Sequence, residues 1–141
     1  MQKRRKRLEI KLLRVREAKG EKFTSPAQIV LLMKNEARAD RECFWVLHLN
    51  NQNKIIEKEL VSMGILASSL VHPREVFRKA VMNGTARIIT IHNHPSGNLE
   101  PSEEDKKTWK QLKESGKILG IPVLDNIILA PDGRYFSEHE K

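Results

Sequence analysis

A single cysteine, Cys43, in a chain of 141 residues removes two classes of protein at once. No disulfide can form within one chain, and no zinc cluster built on several thiolates can assemble. A reducing cytoplasm is the compartment this cysteine usage fits. No run of about 18 apolar residues exists, so no membrane-spanning helix is expected. The basic N-terminus is not followed by an apolar stretch, so no secretory signal is expected there. There is no internal repeat, and no low-complexity segment beyond the N-terminal stretch. The length suits one domain with its own core and leaves no room for two.

Charge is the first thing present in excess. The net charge is +8, and it is unevenly placed. Residues 1–22 hold ten Lys or Arg against three Glu, a net +7, whereas the other 119 residues carry 16 basic and 15 acidic groups. The chain therefore divides into a basic arm, 1–22, and a nearly neutral domain, 23–141, with a junction near Gly20–Thr24. Non-specific contact with nucleic acid is the expectation for the arm, weakening steeply with salt as counterions are released. A solvated leader, or a short helix with Leu8, Leu12 and Val15 on one side, is the plainer alternative.

The domain alternates in type along its length. "TSPAQIVLLMKNEARAD" reads as a helix capped by Ser25, with Pro26 in its first turn. "CFWVLHLN" is apolar on both faces and predicts a buried strand. "KIIEKELVSMG" alternates and predicts a second strand, paired to the first across the polar turn "NNQNK". A helix over "HPREVFRKAVMNG" follows, then a buried strand in "ARIITIHNH". A helix from Ser102 fails near Gly116 or Gly120, and strands in "IPVLDNIILA" and "RYFS" flank the turn "PDG". This order implies an α/β fold, a mixed sheet flanked by helices.

The chemistry gathers in "HNHPSGNLEPSEED", at the carboxyl end of the strand, where sites in open α/β sheets tend to sit. Alternation on an extended segment points His92 and His94 the same way. Pro95 and Gly97 then turn the chain, and Asp105 lies in the first turn of the next helix, able to swing back. Two imidazoles and a carboxylate are three ligands for a zinc ion, and the fourth position is left to a water that can ionise near neutral pH. Each fragment alone has an ordinary explanation. Ser-x-x-Asp is a capping box, and His-x-His is common. Their conjunction at the end of an apolar strand points to metal.

His92-x-His94, followed by Ser102-x-x-Asp105, resembles the JAMM motif of the MPN/JAB metallopeptidases. "IHNHPSG" with "PSEED", "VHPREVF" and "GIPVLDNIIL" is similar to the RadC branch of that family, over residues 25–137. The resemblance implies a cytidine-deaminase-like α/β fold and one zinc ion held by His92, His94 and Asp105. It implies Glu42, just before the first strand, as general base, and Ser102 as hydrogen-bond donor to the oxyanion. The implied reaction is hydrolysis of peptide or isopeptide bonds in a peptide or protein substrate. Two departures concern pocket shape: Asn126 stands where the branch often has histidine, and "SMGIL" replaces a Gly-Thr pair. No counterpart of the branch's helix-hairpin-helix module is expected in these residues, where the basic arm takes its place. The branch's link to DNA repair therefore carries over less well than the hydrolytic chemistry.

Other readings fare worse. In HNH nucleases the three residues are spread along a ββα unit, not adjacent. A zinc deaminase needs Pro-Cys-x-x-Cys, and no His-Glu-x-x-His helix is present. Cys43 and Trp45 read as buried strand residues and His48 as a satisfied core or edge histidine, not as a nucleophile with its base. Glu57 and Glu59, on a face expected to be solvated, and Glu75, in a first helical turn, are rival bases. The competing function class is a nucleic-acid-associated protein that keeps the zinc fold as a scaffold and binds through the arm.

Overall fold

The computed structural model describes residues 20–64 and 71–140. Most of the basic arm, with Leu8, Leu12 and Val15, lies outside them. The elements run α1 (Pro26–Leu32), a 3₁₀ turn (Glu36–Arg38), β1 (Cys43–Leu49), β2 (Ile55–Met63), α2 (Pro73–Asn83), β3 (Arg87–Asn93), α3 (Glu103–Leu119), β4 (Val123–Leu129) and β5 (Tyr135–Ser137). The strands form one mixed sheet, in the order β2-β1-β3-β4-β5. Only β3 and β4 are parallel; the other neighbours are antiparallel. The α/β expectation holds. No helix among the described residues is long and apolar enough to cross a membrane.

All seven residues of β1 are buried, as a strand apolar on both faces requires. Parity then sorts the side chains into two cores. Cys43, Trp45, Leu47, Ile89 and Ile91 pack with Ile29, Met33 and Ala37 of the α1 layer. Phe44, Val46 and Ile88 pack with Val76, Phe77, Ala80 and Leu112 of α2 and α3. His92 follows the even parity of the second set, and Asn93 the odd parity of the first.

The first helix is shorter than the sequence suggests. It stops at Leu32, and the chain re-forms only a 3₁₀ turn. Ile29 and Met33 are buried while Leu31 and Leu32 face outward, so helical spacing serves the core for one face-repeat only. Ser25 occupies the cap position, but its hydroxyl makes no capping bond. Gln28 Oε1 instead accepts the Thr24 N–H at 2.9 Å. At the junction with the arm, the Ile55 N–H donates to Glu21 O and the Phe23 N–H to Asn53 O, which ties residues 21–23 to the start of β2.

The end of α3 separates the two glycines. Gly120 has φ +72° and caps the helix through its N–H to Gly116 O and Lys117 O, as a left-handed C′ residue does. Gly116 is inside the helix, and a Cβ there would sit 2.5 Å from Ile121 O and 3.2 Å from the Phe77 ring. Exposed Gly→Ala in a helix is stabilising by about 1 kcal/mol. Gly116→Ala is expected to do the reverse, destabilising by about 1–3 kcal/mol through overpacking. Urea unfolding of the two proteins measures the sign.

Candidate metal centre

β3, α3 and β4 make a parallel strand–helix–strand unit, and the end of β3 abuts the start of α3. The Pro and Gly of "HPSG" turn the chain there. Gly97 N–H donates to His94 O at 2.9 Å, and Gly97 has φ +84°, a conformation that favours glycine. The Arg134 guanidinium holds the turn from the β4–β5 side, donating to Gly97 O at 2.8 Å and to Asp132 at 2.7 Å.

The two histidines do share a side. Their Nε2 atoms are 3.1 Å apart. His92 Nε2 is 3.3 Å from Asp105 Oδ1, and His94 Nε2 is 3.4 Å from Asp105 Oδ2. Ligands on a tetrahedral zinc with bonds of 2.0–2.1 Å stand about 3.3 Å from one another. Glu42 Oε1 is 3.9 Å from His94 Nε2, and one ligand atom from each of Glu42, His92, His94 and Asp105 can be chosen with all within 4.8 Å of one another. The His92 and Asp105 side chains are sealed, at 1 % exposure each, whereas His94 and Glu42 are 14 % and 24 % exposed. The cluster thus has a closed floor and an open side, and Glu42 stands on the open side.

The donor set fits a cation. Asn98 O can only accept, and it lies 2.6 Å from His94 Nδ1. The proton is therefore on Nδ1, and in the neutral ring the Nε2 lone pair faces the cluster. Asp105 divides its two oxygens. Oδ2 accepts the Ser102 N–H at 2.9 Å, while Ser102 Oγ accepts the Asp105 N–H at 3.0 Å. That is a full capping box. Oδ1 is buried with no hydrogen-bond partner, which is costly for a carboxylate unless a positive charge faces it. Capping and ligation are thus compatible uses of one residue.

Electrostatics agree. Burial alone would raise the Asp105 carboxyl, but the His92 and His94 imidazoles, 3.3 and 3.4 Å from its oxygens, outweigh it together with the Ser102 N–H and hold the group well below the usual carboxylate range. Burial likewise pulls His94 down, yet the Asp105 carboxylate, the Asn98 carbonyl and the charge of Glu42 raise it above the ordinary histidine value. The site attracts positive charge. Around it the walls are apolar and aromatic: Phe44 stacks on His92 at 6.0 Å, and Trp109, one turn beyond Asp105, lies 6.1 Å from the His92 ring. A low dielectric there strengthens every charge interaction.

Of the remaining candidates only Ser102 borders the cluster, through its capping box with Asp105. Ser102 is the N-cap of α3; its oxygen accepts from Asp105, which leaves its hydroxyl proton free to donate. Cys43 is buried. His48 is fully buried between Thr85 Oγ1 at 3.0 Å and Glu59 Oε1 at 2.8 Å, a satisfied core histidine. Glu57 and Glu59 are not solvated as expected. Glu57 bonds Lys79 and Asn83, and Glu59 bonds His48. Glu75 is half-exposed, 3.9 Å from Arg74. Asn126 is buried, accepting from Thr90 and donating to Glu138 Oε1 at 2.9 Å. Part of "SMGIL" lies outside the described residues. Sequence reasoning missed Asn93 and Trp109. Both were legible in principle, Asn93 as a polar residue at an inward position of an apolar strand, and Trp109 by its i+4 spacing from Asp105.

Comparison with known proteins gives a family match. The model described as "RadC-like JAB domain" matches residues 23–141. A "UPF0758 protein" of Trichlorobacter lovleyi is 52 % identical over 118 residues, covering 83 % of this chain and 51 % of that protein. Another, from Caldanaerobacter subterraneus, is 49 % identical over 125 residues, covering 86 % and 53 %. A third, from Methanosarcina mazei, is 47 % identical over 117 residues, covering 82 % and 51 %. The chain spans about half the length of the relatives it matches.

Proposed function

Since the chain belongs to the family of RadC-like JAB domains, we propose that it is a zinc-dependent hydrolase of peptide or isopeptide bonds. The carrying observation is Glu42. A carboxylate on the open side of a His–His–Asp cluster, 3.9 Å from His94 Nε2, is superfluous to a scaffold and necessary to a hydrolase. His92, His94 and Asp105 hold the ion in this reading. When bound, the ion supplies Lewis acidity, which brings the pKa of a coordinated water near neutrality and polarises a carbonyl oxygen. Glu42 accepts the proton of the attacking water and returns it to the departing nitrogen as the C–N bond breaks. Ser102 donates its free hydroxyl proton to the substrate oxygen as negative charge develops there.

The test uses the zinc-reconstituted chain and a panel of linear peptides and lysine ε-linked isopeptides. Turnover that a chelator abolishes and zinc restores is the expected result. A fully loaded protein that cleaves nothing in the panel favours the scaffold class. The concentration of +7 in residues 1–22 supports a second, compatible element of the proposal, a non-specific contact with nucleic-acid phosphates through the arm.

A further inference from the structure

We infer that Asn93, the residue between the two histidines, is the positioning residue for Glu42; this rests on the reading of Glu42 as the base. Strand alternation sends its side chain to the face opposite the imidazoles, where it is fully buried. There it meets residues 39–42, which belong to neither helix nor strand and so have no ladder to satisfy their backbone groups. Asn93 Oδ1 accepts the Cys43 N–H at 2.7 Å, and Nδ2 donates to Arg41 O at 2.9 Å and to Ala39 O at 3.3 Å. The peptide groups on both sides of Glu42 are therefore held by one carboxamide. Glu42 O itself accepts from Gly64 N–H at 2.9 Å.

The chemistry selects asparagine for this place. The clamp needs one acceptor and two donors in a short planar group. An aspartate lacks the donors, and a serine cannot span the three backbone groups. The consequence is mechanical. Glu42 comes from a segment some fifty residues earlier in the chain, yet it is mounted on the strand that carries His92 and His94. Ligands and base then move as one unit, which is what a preorganised site requires.

Cobalt(II) is the probe, with no substrate needed. Glu42→Gln should change the visible absorption of the cobalt-loaded protein, since the group on the open side has lost its charge. Asn93→Ala should reproduce that change, and the double variant should show nothing more than Glu42→Gln alone. Asn93→Ala should still bind cobalt, since the carboxamide it loses bonds only to the backbone of Ala39, Arg41 and Cys43 and to no ligand. Amide exchange at Cys43 should accelerate roughly tenfold, the factor implied by loss of one hydrogen bond. If Asn93→Ala does not unfold cooperatively, Asn93→Ser is read in its place. Spectral changes that add in the double variant, or an Asn93 variant spectrum identical to the parent, overturn the inference and leave Glu42 untouched. A Glu42→Gln spectrum identical to the parent overturns the reading of Glu42, and this inference with it.

Discussion

Glu42→Gln is expected to keep the fold and the bound ion and to lose hydrolysis by at least about 10²–10⁴-fold, the usual share of general acid–base catalysis. The amide has the carboxylate's shape but can neither take the water's proton nor give one to the leaving nitrogen. A further loss should come from failing to orient the water. The side chain is part-exposed and outside both cores, so thermal unfolding should barely move. The measurement is kcat on a peptide or isopeptide that the parent cleaves, with metal content checked in the same samples. Retained turnover would mean that another group is the base. Glu57 and Glu59 are already engaged by Lys79 and His48, so that base would have to be a group other than these two.

The second large effect concerns the ion. His94→Ala is expected to reduce zinc in the purified protein from one per chain to a small fraction. Removing one of three ligands also takes away the imidazole that faces Asp105 Oδ2 at 3.4 Å. Elemental analysis after gel filtration reads the result directly. Full occupancy in the variant would show that the cluster is not the metal site. Dialysing the parent against a chelator and adding zinc back should remove and restore the same stoichiometry, because a site with an open side exchanges its ion.

The frame of the fold was legible from the sequence for local reasons. β1 is buried because it is apolar at every position but one, and α2 and α3 end at Gly84 and Gly120, both left-handed caps. The break after Leu32 was not legible. It depends on where the sheet lies beneath α1, which no local propensity encodes. The ligand set could be read because its three members fall within fourteen residues and follow strand and helix periodicity. Glu42 could not be placed by spacing at all, since a separate element delivers it; only the family resemblance pointed to it. The pairing of Glu57 and Glu59 was hidden for the same reason. Alternation correctly put them on one face of β2, but their partners Lys79, Asn83 and His48 come from α2 and β1.

The opposite faces of β3 have a consequence for how this gene can change. His92 and Asn93 are neighbours with side chains on opposite sides of the sheet, and the ladder to β1 and β4 fixes that assignment. Deleting or inserting one codon within residues 88–91 would shift the count by one and exchange the sides. The imidazoles would then face the α1 layer, and the carboxamide would face Asp105. Such a frame-preserving indel removes no functional residue, yet it dismantles ligands and clamp together. The stretch from Leu99 to Pro101, which lies in neither helix nor strand, carries no such parity, whereas Asn98 is tied to His94 Nδ1. Length variation among descendants of this sequence should therefore accumulate between Asn98 and Ser102, and stop at the strand.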